Sequence, residues 1–161
     1  MNQESLENVI HFPEDPPDAL EILIMLLYGF SWFEARTEVW FKRVNKYTWP
    51  VLLLPDTYEL ACKYQLHDVA KQLIEELKST LRHLTNLGPG QNGWFWTLAD
   101  YIYETNHNMP DIRAELIRTL RKHAKSLRGK REYLKEKLEK CPGLAVELAL
   151  SGGFGENGFI V

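Results

Sequence analysis

Cysteine is scarce in this sequence, and the two it has, Cys62 and Cys141, stand far apart with no Cys-x-x-Cys pair. That excludes a disulfide framework and a thiolate zinc centre. The expectation is two reduced, buried thiols in an intracellular protein, with a single Cys62–Cys141 bridge as the alternative. Long apolar runs are missing too. The most apolar stretch, Ala19 to Phe30, is too short to cross a bilayer and carries Glu21. It reads as a core helix, and no membrane partner is expected. The opening MNQESLENVI carries no basic segment of the signal-peptide kind. The expected compartment is the cytoplasm or nucleus.

Catalytic signatures are equally scarce. Gly152, Gly153, Gly155 and Gly158 follow a helical pattern and run to the end of the chain, so they form no phosphate loop. There is no Gly-x-Ser-x-Gly elbow. None of the five histidines, His11, His67, His83, His107 and His123, has another three or four residues away. Cys62 and His67 are two ligands at most, and two do not make a metal site. His107 and Asp111 flank a helix start and fit local capping. Glu14-Asp15 precedes a helix and suits its dipole, while Glu75-Glu76 reads as an exposed pair near Lys71 and Lys78. No catalytic, cofactor-binding or metal-binding residue is assigned, no small-molecule substrate is expected, and the chain is read as a non-enzyme.

What is present is the composition of a folded globule: 161 residues, 45% hydrophobic, 12% aromatic and 25% charged. A chain of this size buries roughly two thirds of its unfolded surface. Residues 5–12 form a strand candidate ended by Pro13. Asp15 then offers an N-cap, and Pro16 and Pro17 open a helix running to Tyr28. Leu20, Leu23, Ile24 and Leu27 share one face of it. Ile22, Met25 and Leu26 make it apolar nearly all round, which predicts deep burial. Gly29 fits a C-cap.

Residues 30–50 show no clean period and read as a long ordered loop, with a strand or helical turn near Val39 to Val44. Their aromatic density predicts packing on the domain or on a partner. Two helices follow, Asp56 to Tyr64 and His67 to Leu84. The second carries Val69, Ala70, Leu73, Leu77 and Leu81 on one stripe. The turn-rich stretch 86–93 separates these from a second helical group: Trp94 to Thr105, Pro110 to Gly129, Lys130 to Lys140 and Leu144 to Leu150.

Net charge is −3, unevenly spread. Residues 113–140 hold eleven Lys/Arg against four Glu, leaving eight against eighteen elsewhere. Nucleic acid would want a basic stripe on one face. Here Lys135–Glu139 and Glu136–Lys140 are spaced to pair along a solvated helix. An acidic protein partner, nucleic acid or an anionic surface is the alternative use of this region.

The order of elements resembles the later part of a fungal BTB/POZ domain. The run from Asn8 to Gly29 looks like that family's third strand and following helix, through its Pro13-Glu14-Asp15 turn and its Leu27-Tyr28 end. Ala61, Lys63-Tyr64 and Leu66 match the next helical pattern. The resemblance covers residues 5–84. It implies a mainly α fold: a BTB/POZ-like helical part with a short N-terminal strand, then additional C-terminal helices. The division is 1–85 partial BTB/POZ-like domain, 86–93 linker, 94–150 helical extension and 151–161 flexible tail. Almost nothing precedes Ser5, where the family has two strands and two helices that supply much of its dimer contact. The chain therefore resembles a truncated or short member, or a remnant without independent activity.

The resemblance also implies a protein-interaction role, as an adaptor in cullin-type ubiquitin-ligase assembly or in transcription-related complexes. The implied partners are a cullin or a second BTB chain. The family's cullin contact is similar to an apolar-x-Glu motif, and Trp32-Phe33-Glu34 has that form. Trp32, Phe33, Glu34, Trp40 and Phe41 are the candidate protein-interaction residues.

Overall fold

The structure is a computed structural model describing residues 14–43, 50–89, 93–104 and 109–152. The strand expected over 5–12 and the tail from 153 onwards lie outside these residues. The described chain is helical: α1 Pro17–Leu27, α2 Trp32–Arg43, α3 Leu53–Lys63 after a 3-10 turn Pro50–Leu52, α4 His67–Arg82, α5 Gly93–Glu104, α6 Pro110–Lys122, α7 Ala124–Leu127, α8 Arg131–Lys140 and α9 Pro142–Leu150. A second 3-10 turn, Arg128–Lys130, joins α7 to α8. No strand occurs among the described residues.

Helix ends follow local chemistry. Pro17 opens α1 with Asp18 in its first turn, where a fixed φ and a negative charge both favour a helix start. Gly29, at φ +88°, closes it. Phe30 N–H reaches Met25 O at 3.1 Å and Gly29 N–H reaches Leu26 O at 3.0 Å, the paired bonds of a Schellman end. The same arrangement closes α3, with Leu66 N–H on Ala61 O at 2.7 Å and Gln65 N–H on Cys62 O at 3.1 Å. There the left-handed position is filled by Gln65, at φ +58°.

α1 packs on α2 and α3, α3 on α4, α4 on α6, and α9 on α5, α6 and α8. The α4 stripe buries Ala70, Leu73, Ile74, Leu77 and Leu81, with Val69 only half-buried. α8 buries no residue fully, and Tyr133, Leu134 and Leu138 lie half-buried against the core. Its Lys135–Glu139 and Lys140–Glu136 pairs stand at 3.9 and 2.7 Å, as the spacing predicts.

Several expectations need correction. Residues 32–43 are a helix, not a loop: Trp32, Ala35 and Val39 are buried at helical spacing and hold it against α1. α1 is not buried all round. It buries Ala19, Ile22, Leu23 and Leu26, while Ile24 and Leu27 face out. A helix apolar on every side does not itself specify which side faces in, and its neighbours α2 and α3 make that choice. Asp15 is not the N-cap, since Pro16 takes that position without a side-chain bond. The helix from Pro110 stops at Lys122 rather than Gly129. His123 breaks it, 8% exposed, its imidazole pKa pushed down by burial and by Lys122. Both thiols are free, but Cys62 is exposed and only Cys141 is buried.

The stretch 86–93 separates two helical groups in sequence, yet one hydrophobic core runs from Ala19 to Leu148 through both. Leu87 is 0% exposed, and its carbonyl accepts the Trp96 indole N–H at 3.3 Å. Leu87→Ala is therefore expected to cost about 2–5 kcal/mol in chemical denaturation; a slack linker would lose almost nothing. Gln65→Gly is expected to raise stability by about 0.5–1 kcal/mol, because relief of the left-handed cost exceeds glycine's extra unfolded entropy. An unchanged or lower urea midpoint would contradict that.

Candidate functional site

Five side chains were singled out by the sequence, and the structure separates their roles. Ser31 precedes α2 and Glu34 lies three residues on. The Ser31 backbone N–H donates to Glu34 Oε2 at 2.9 Å, its hydroxyl donates to the same oxygen at 2.7 Å, and Glu34 N–H returns to Ser31 Oγ at 3.3 Å. This is a capping box. It holds the Glu34 carboxyl below its usual range, the Ser31 hydroxyl and backbone N–H being the causes. Trp32, at 2% exposed, belongs to the core. Two members of the apolar-x-Glu motif thus serve the fold of their own helix.

The remaining three stand at the surface. Phe33 and Phe41 are 63% and 68% exposed. Trp40 is half-buried, its ring 5.2 Å from that of Phe41 and tilted by 58°. The Arg36 guanidinium lies over Phe33 at 5.2 Å, within cation–π range. Burial lowers the Arg36 pKa, and Glu76 partly offsets it. Lys42 reaches back from the end of α2 to Glu21 of α1 at 3.0 Å, so the two helices form an antiparallel hairpin. α1 and its turn add Ile24, Leu27, Tyr28 and Phe30, all exposed. Ile24, Leu27 and Tyr28 follow at i, i+3 and i+4, which places them on one side of the helix.

Sequence reasoning missed two things here. The outward side of α1 carried no polar signal to betray it. The α2 helix did carry one: Ser31-x-x-Glu34 is a helix-start pattern.

A second cluster lies where α1 begins and α3 ends. Asp15 is 8% exposed. Its carboxylate accepts Lys63 Nζ at 2.6 Å and the Tyr64 hydroxyl. The Lys63 bond and then the Tyr64 bond hold its pKa below the ordinary carboxylate value, and Lys63 and Tyr64 are shifted up in return. Asp15 and Lys63 border a groove of about 530 Å³ shared with Glu14, Tyr58 and Cys62. Burial, with Cys62 and Asp111 nearby, pushes the Tyr58 hydroxyl up to about 12. An aspartate held ionised by a lysine and a tyrosine held neutral do not make a general acid–base pair at neutral pH. Among the described residues, no group of three or more His, Cys, Asp or Glu could hold a metal ion. No helix among them is long and apolar enough to cross a membrane.

Compared with known proteins, the chain matches no protein-family model, no curated protein and no solved structure.

The Asp15 cluster makes a pH prediction. A carboxylate whose folded pKa is lowered stabilises the fold above its unfolded value, and that contribution fades as pH falls through the folded value. Asp15→Asn is expected to lower the melting temperature at neutral pH. The gap to the parent should narrow below about pH 4; a gap constant across a thermal-denaturation pH series would count against the ion pair.

Proposed function

We propose that this chain is a protein–protein interaction module of the BTB/POZ type, and that the outward side of the α1–α2 hairpin is its docking surface. The observation that carries the reading is the group of exposed apolar side chains there: Ile24, Leu27, Tyr28, Phe30, Phe33 and Phe41. Aromatic side chains give large contact area for little lost conformational freedom, which is why they anchor interfaces. A monomer rarely leaves so many large apolar groups on one pair of helices without a use for them.

The proposed partners are a cullin or a second BTB/POZ chain, in an adaptor setting of ubiquitin-ligase or transcription-related assembly. The reading is of a binder, with no cofactor and no substrate. The contact runs through Phe33, Phe41 and the Leu27–Phe30 turn. Trp32 and Glu34 support it from below, one as core and one as cap.

The test is titration calorimetry and sedimentation with a purified cullin and with a complete BTB/POZ domain. One of the two is expected to bind. Leu27→Asp and Phe33→Ser are each expected to weaken binding at least about tenfold, ~1.4 kcal/mol, with helical content unchanged. A chain that binds neither and stays monomeric, or binding that neither substitution alters, would remove the reading.

A further inference from the structure

The basic residues of 113–140 do not form one solvated, self-neutralised stretch. Three of the four carboxylates that interrupt them in sequence sit on α8, where Glu136 and Glu139 pair with lysines. Between Leu116 and Arg131 there are seven Lys/Arg and no Asp or Glu. Part of that run borders a groove of about 640 Å³ between α6 and α9, lined by Arg113, Ile117, Arg118, Arg121, Glu147 and Leu150 among others.

The groove is built differently at its two ends. At one, Arg113 donates to Glu147 Oε1 at 3.3 Å and lies 4.9 Å over the Tyr103 ring. The Tyr103 hydroxyl donates to Glu147 Oε2 at 2.7 Å. That end is fixed and neutral. At the other, Arg118 pairs with Glu115 of its own helix while its side chain remains 69% exposed. Arg121 is exposed and has no carboxylate within ion-pair distance among the described residues. Leu150 is 83% exposed at the rim, and Val146, four residues back on α9, is 57% exposed. Cationic forks and apolar groups therefore line the same depression.

We propose that this groove binds an acidic peptide segment of a partner protein, one that carries an apolar side chain beside its carboxylates. A guanidinium matches a carboxylate with two parallel hydrogen bonds, so Arg121 and Arg118 take the acidic residues. Leu150 and Ile117 take the apolar one. The stretch of α6 from Pro110 to Arg121 is about 16 Å long, enough for about five extended residues. Single-stranded nucleic acid suits the site less well. It wants aromatic platforms for its bases, and residues 110–131 contain no Phe, Trp or Tyr. No residue of this groove belongs to the α1–α2 surface, so the two sites succeed or fail separately.

Fluorescence anisotropy of the whole chain tests the proposal. The probes are a labelled peptide of alternating Glu and Leu, the same peptide with Ser for Leu, and a labelled oligothymidylate. The Glu/Leu peptide is expected to bind best. Arg121→Glu should weaken it at least about tenfold and Leu150→Ser about threefold, while Lys135→Glu on α8 leaves it unchanged. Both groove residues are exposed, and far-UV circular dichroism verifies that the variants stay folded. Tighter binding of the oligothymidylate, equal binding of the two peptides, indifference to Leu150→Ser, or no binding at all would each overturn the proposal.

Discussion

The indole of Trp96 ties the stretch that follows α4 to the second helical group of this chain. It is 2% exposed, stands edge-on to Phe95 at 5.2 Å and to Tyr133 of α8 at 6.2 Å, and gives its N–H to the Leu87 carbonyl. A buried tryptophan contributes a large apolar area but needs a partner for its one donor. Here the partner is backbone from the very stretch that links the groups. That bond and its own burial hold Leu87 in place. α5 then has a fixed place from which α6 and α9 are positioned.

From this shared core the two surfaces follow as leftovers of packing. α1 has more apolar side chains than its two neighbours can cover, so one side of it remains outside. α2 buries Trp32, Ala35 and Val39 and is left with Phe33 and Phe41 pointing away. α6 gives its inner stripe to the core, which leaves its arginines beside the exposed end of α9. In each case the surface chemistry is what remains after the core has taken what it can.

How much of this was readable beforehand varies with the element. α4 was plain, because its apolar residues repeat at a helical period and its outer side is charged. The α8 ion pairs were plain for the same reason: spacing alone brings Lys135 to Glu139. α2 is hard to read because its aromatics dominate its pattern and blur the period, although the Ser31–Glu34 cap marks its start. Asp15 stands beside a helix start, and in sequence it reads as a cap. Its partners, Lys63 and Tyr64, are about fifty residues away, and nothing local announces them.

The sequence by itself determined that this is a helical chain without a recognisable catalytic motif, where most helices begin and end, and that its basic residues gather in one region. Periodicity, prolines, glycines and caps act over a few residues, so they can be read in order along the chain. Only the tertiary structure decided which side of α1 faces out, that Trp32 is core while Phe33 is surface, that Leu87 and Gly88 after α4 are buried, and that Arg121 and Leu150 share a groove. Those are outcomes of competition among helices for a limited interior, and no single segment contains the information to settle them.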